Sequence, residues 1–139
     1  MRHSTTFLIF VAVMVTLGCS RVSYTDARAS MAGTASGLVV AGVALEEATR
    51  DGLVTPELAA ELHSVGEEVL TSLGEGIKAG DDAPDEKSAI KALQIAAGAA
   101  IDPLGRLIDL LPDDNPRADY YRLSLVAAQV TLATLLAIN

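Results

Sequence analysis

Two histidines, one cysteine and eighteen acidic side chains are the residues of this 139-residue chain whose types could do chemistry. His63 follows Glu61 by two positions, and on a helix such a pair points in different directions. It therefore lacks the Glu-x-x-His spacing by which a helical bundle holds a di-iron centre. Glu57, Glu61, Glu68 and Glu75 fall near one side of a helix, opposite its aliphatic stripe. Carboxylates perform acid–base catalysis in a cleft that drives their pKa values apart, whereas a solvated helix face accounts for these four without one. The run Asp81, Asp82, Ala83, Pro84, Asp85, Glu86 lacks the Asp-x-Asp-x-Asp-Gly spacing that closes a calcium loop. No serine sits in a Gly-x-Ser-x-Gly elbow, and no glycine-rich loop is built to cradle a phosphate. The expectation is a non-enzyme with no catalytic residue, no cofactor and no metal site.

The elements that carry these residues must be built from an unusual composition. Half of the chain is hydrophobic but only 4% is aromatic, with no Trp and with both phenylalanines, Phe7 and Phe10, in the first ten positions. Any core further along is made of Ala, Leu, Val and Ile. The length suits one domain. Ten basic against eighteen acidic residues give a net charge of −8, which repels a phosphate backbone, so nucleic acid is excluded as a partner.

Residues 7–17 (FLIFVAVMVTL) form an apolar run preceded by Arg2 and no acid. Such a run has the length of a secretory h-region and is too short to cross a bilayer, which takes about 20 residues. It ends in Leu17-Gly18-Cys19, and here the chain resembles the bacterial lipoprotein signal, which places small residues before an invariant cysteine. Thr16 stands where that family usually has Leu. The resemblance covers residues 1–19. It implies a diacylglycerol thioether on Cys19, cleavage after Gly18 and acylation of the new amino terminus. Ser20, in place of the Asp common in lipoproteins kept at the inner membrane, implies sorting to the outer membrane, facing the periplasm. A lone cysteine agrees with a lipid rather than a disulfide framework, and several acyl chains anchor a protein stably. The expected division is a signal peptide over 1–18, a lipidated tether over 19–26 and a helical domain over 27–139. The expected partner is the bilayer, through acylated Cys19; a protein partner and the oligomeric state are left open.

Past the tether the apolar residues recur at three-four spacing, the period of a helix. A first helix is predicted from about Thr25 to Arg50, with Met31, Ala35, Leu38, Gly42 and Leu45 inward and Gly52 as its stop. Thr55 as N-cap, Pro56 at the first helical position and Glu57 in the first turn start a second. Its stripe is Leu58, Leu62, Val65 and Val69, and it ends at Gly80. The third carries Ile90, Leu93, Ala97, Ala100, Leu104, Leu107 and Leu111, with a kink or restart at Pro103 capped by Asp102. Asn115 and Pro116 open a fourth, with Leu123, Val126, Val130, Ala133 and Ala137 on its inner face. The fold class is all-α, an antiparallel up-down four-helix bundle, with the first and fourth helices the most buried. Residues 29–45 carry no charge and contain Gly33-x-x-x-Gly37, which predicts close packing inside the bundle. Residues 123–138 are also uncharged, and at about 24 Å of helix they fall short of a hydrocarbon core, so they too are expected to pack.

These readings describe a small, non-catalytic, outer-membrane-anchored helical lipoprotein with a structural or protein-interaction role, presenting an acidic helical surface. Two alternatives remain. One is a membrane-bridging lysis protein, because an amino-terminal lipoprotein signal with a carboxy-terminal apolar helix is similar to the unimolecular spanins of phages. The other is an exclusion or immunity lipoprotein. Replacing Cys19 by Ser is expected to abolish acyl labelling and leave an unprocessed precursor; unchanged labelling would refute the lipoprotein assignment.

Overall fold

The computed structural model describes residues 22–113 and 116–138, so Gly18, Cys19, Ser20 and the Asn115 cap lie outside the described residues. Four helices follow one another: α1 (Tyr24–Arg50), α2 (Pro56–Asp81), α3 (Glu86–Leu110) and α4 (Pro116–Leu136). Among the described residues there is no strand. Each helix packs on the next in an up-down bundle, and α1 also meets α4. The helix ends are set by local chemistry. Ser23 Oγ accepts from Asp26 N at the start of α1, Thr55 from Leu58 N with Pro56 behind it, and Asp85 from Ser88 N. After α1, Gly52 takes φ 73°, and the Leu53 and Gly52 amides return to the carbonyls of Ala48 and Thr49. That pattern is a Schellman stop, which requires the left-handed conformation glycine adopts freely. Helix α1 thus begins at Tyr24, one residue before the Thr25 start expected from the sequence.

The core is aliphatic, with Met31, Val69, Leu73, Leu93, Leu104 and Leu132 at its centre. The most extensive contact is between α2 and α3. It is made close by Gly76, where a Cβ would collide with that of Ala96. Four residues on, Gly80 is buried and lies against the Tyr24 ring. This glycine continues α2 rather than ending it. The small-residue pair that lets helices approach is therefore Gly76 and Gly80. Gly33 and Gly37 are exposed, with open space where their side chains would be, contrary to the packing expected of them.

Two further expectations are corrected. Helix α3 runs unbroken through the buried Pro103, and Asp102 is an exposed residue within it rather than a cap. A proline costs the helix one amide donor, while Gln129 of α4 donates from Nε2 to the nearby Ile101 carbonyl at 3.2 Å. Helix α4 packs as expected, but by the other face: Ala118, Leu125, Ala128, Leu132 and Leu135 are buried, and Leu123, Val126 and Val130 are exposed. Both faces are aliphatic, so the pattern did not distinguish them. Nor is α1 deeply embedded, since between Thr34 and Ala48 none of its residues is fully buried.

The two kinds of glycine predict substitutions of opposite sign. Gly76→Ala is expected to destabilise the bundle by about 1–2 kcal/mol, the overpacking cost less the gain in helix propensity. Gly33→Ala should stabilise it by about 0.5–1 kcal/mol. Urea denaturation followed by circular dichroism measures both, and like signs would mean that the α2–α3 contact is looser than described.

Candidate functional site

The residues with chemistry gather at one end of the bundle, where α1 begins, α2 ends and α3 begins. Arg28 donates through Nε and Nη2 to the two oxygens of Asp81 at 2.7 and 2.8 Å. The Tyr24 hydroxyl donates to Asp81 Oδ1 at 2.6 Å, and the Tyr24 amide donates to Glu86 Oε1 at 3.1 Å. Asp81 is held down from 3.8 to about 2, first by the Arg28 hydrogen bonds and then by that of Tyr24. Arg28 is pushed up, chiefly by the same bond to Asp81. The Tyr24 hydroxyl is raised, by desolvation first and then by donating to Asp81. Asp85 is lowered by its Ser88 contacts, backbone first. The acidic stretch is thus partly a receptor for the start of α1, a pairing across 53 and 57 positions that spacing within one helix did not reveal. Its partners satisfy one another, leaving a clamp rather than a reaction centre.

Elsewhere polar side chains tie helix ends. Arg122 donates to the Leu111 and Pro112 carbonyls at 3.3 and 3.2 Å, at the negative end of the α3 dipole. Gln94 donates to the Leu135 carbonyl in the last turn of α4 and to that of Ile138 just beyond it, at 3.2 and 2.7 Å. His63 is exposed and 3.2 Å from Glu67 one turn on, and Glu61 is not its partner. Glu57, Glu61, Glu68 and Glu75 are exposed, with Glu68 paired to Arg106 at 2.9 Å. Among the described residues no group of three or more His, Cys, Asp or Glu could hold a metal ion.

The concave features lie along the loosely held part of α1. On its α2 side is a half-open cavity of about 290 Å³, walled by Leu38, Leu45 and Leu70 and floored by Leu107, Leu111 and Leu125. Its mouth carries Glu46, His63 and Glu67. On the α4 side a groove of about 330 Å³ runs between Gly33, Gly37, Val40 and Ala44 of α1 and Tyr120, Ser124 and Ala127 of α4. Exposed aliphatics lie at this groove, Val40 at 68% on α1, with Leu123 at 59% and Val130 at 55% beside it on α4, whereas Val43, 54% exposed, lines the cavity on the α2 side. Tyr120 stacks edge-on against Tyr121, centroids 6.1 Å apart. By length and hydropathy α1 is the one helix among those described that could cross a membrane, and only 11% of its most apolar window is buried. Core helices and signal sequences share those properties.

No protein-family model, curated protein or solved structure matches the chain.

The clamp has a pH signature. Folding holds Asp81 ionised to lower pH than the unfolded chain does, so its contribution is complete above about pH 4 and is lost as pH falls toward 2. Both partners are about two-fifths exposed, which keeps the effect modest and salt-sensitive. Asp81→Asn should lower the thermal midpoint at pH 7 and flatten the fall in stability between pH 4 and 2. An unchanged pH profile would show that the clamp is open in solution.

Proposed function

We propose that the chain is a small, non-catalytic, lipid-anchored helical protein of the bacterial envelope that works by protein contact. Cys19 is its acylated anchor, Gly18 the residue before cleavage and Ser20 the determinant of outer-membrane sorting, with the bundle facing the periplasm. The observation that carries the interaction role is the uncharged α1–α4 face. A chain of net charge −8 leaves Val40, Leu123 and Val130 in solvent around a groove of small residues. Contiguous exposed apolar surface of this kind marks interaction sites. This face is a better contact than the acidic surface of α2, whose carboxylates are solvated or paired with neighbouring cations.

The occupant that fits the groove is a partner helix bearing aliphatic residues at three-four spacing. Gly33 and Gly37 let its backbone approach α1, as small residues four apart do between packed helices, and the adjoining valines and leucines receive its side chains. The lysis-protein alternative has no such support: it needs a membrane helix at the carboxy terminus, whereas α4 packs by Leu125, Leu132 and Leu135.

Photo-cross-linkers placed at Val40 and Leu123 in the full, lipidated chain should give a discrete protein adduct in intact envelopes. Gly37→Leu should abolish it by filling the groove, and cross-linkers at the exposed Glu75 and Lys91 should give none. Equal adducts at all four positions, or adducts with lipid alone, would overturn this reading.

A further inference from the structure

The cavity between α1 and α2 is a gap left by side chains that the sequence omits. Gly42 on α1 and Gly66 on α2 both line it, and at each an added Cβ would meet nothing within 4 Å. Its floor is leucine from α3 and α4. Apart from Glu46, His63, Glu67 and Tyr121 the lining brings no side-chain hydrogen-bonding group, so the chemistry of the walls selects an apolar occupant.

The dimensions narrow that occupant. From Leu38 to Leu45 on one wall and from Leu62 to Leu70 on the other, the slot runs about 10–12 Å along the helices. A volume of about 290 Å³ over that length leaves a cross-section of roughly 25 Å², which is that of one extended polymethylene chain. An extended polymethylene chain advances about 1.25 Å per carbon, so a slot of that length takes about nine or ten carbons. At the mouth stand the exposed carboxylates Glu46 and Glu67, with His63 beside Glu67 at 3.2 Å. They would repel an anionic head and attract a cationic one, in a chain whose charge is already −8.

We propose that this cavity binds a single-chain cationic amphiphile, with an alkyl segment of about ten carbons reaching the leucine floor and its ammonium head between Glu46 and Glu67. The site opens on the α2 side of α1 and shares Leu38, Ala41 and Tyr121 with the α1–α4 groove on the other side, but its binding needs no partner seated there. Its recognition is by chain length and head charge. Val39 and Val43 line the cavity, whereas Val40 on the far side of α1 and the exposed aliphatics of α4 take no part in it.

Calorimetric titration tests this on the complete chain carrying Cys19→Ser, so that no acyl group of its own competes. Decyltrimethylammonium, kept below its micelle concentration at low salt, should bind at one per chain. Butyltrimethylammonium, with the same head, and decanoate, with the same chain, should each bind at least tenfold more weakly. Gly66→Leu, which grows a side chain into the cavity, should abolish binding without lowering the thermal midpoint. Gly42→Val serves the same purpose should the first variant fail to fold. Val126→Lys, on the outer face of α4, should leave the affinity unchanged. Binding that survives Gly66→Leu, that is equal for the butyl compound or for decanoate, that saturates at several molecules per chain, or that is absent altogether would overturn the proposal.

Discussion

The close approach of α2 and α3 at Gly76 and Ala96 is the constraint on which the rest of the bundle depends. The described core contains no Phe and no Trp, so it cannot fill a wide space between helices with large rings. Dispersion and burial must come from Ala, Leu and Val brought near one another. Removing the side chain at position 76 lets two backbones meet, and Leu73, Leu93, Ala97 and Leu104 then form a dense seam along them. Helix α4 adds Leu132 and Leu135 to that seam, held in register by Gln94 on the carbonyls at its end and by Gln129 beside Pro103.

Helix α1 is attached differently, and the difference has consequences for function. At its start Tyr24 and Arg28 are fixed to Asp81, and Met31 and Thr34 are buried. At its end Ala48 is buried beside the Schellman turn. Between them Leu38, Ala41 and Leu45 reach the bundle only partly, because Ala35, Ala41 and Gly42 on the same side of the helix bring too little volume to close the gaps. The result is a helix pinned at both ends with an apolar hollow along each side. In an Ala- and Gly-rich protein those hollows are the positions where a bound group or a partner adds the contacts the chain does not supply itself.

How much of this was legible in the sequence depended on whether the deciding interaction was local. Thr55 before Pro56 and Gly52 after Arg50 each act within a few residues, and each marked its helix end correctly, whereas Asp85, the α3 cap, stood in the sequence only as one member of an acidic run. The α2 and α3 stripes were legible because each opposes a charged face. On α4 the alternatives Leu123, Val126, Val130 and Leu125, Leu132, Leu135 are equally apolar, and only the neighbouring helices choose between them. The two glycine pairs posed the same problem: Gly33 and Gly37 share the four-residue spacing of Gly76 and Gly80, but a close contact needs a partner such as Ala96 or Tyr24 across the gap. The clamp at Asp81 and the cavity between Gly42 and Gly66 join residues far apart in the chain, which no single-helix periodicity encodes.

The direction in which these features face follows from where the chain enters the bundle. Cys19 lies five positions before Tyr24, at the end that the Tyr24–Arg28–Asp81 clamp closes, so an acyl group there would hold that end against the bilayer. The cavity begins at Leu38, fourteen residues further on and about 21 Å along the helix. If Cys19 carries the proposed anchor, both hollows beside α1 would lie beyond the clamp from it, and the clamp would stand between them and the lipid surface.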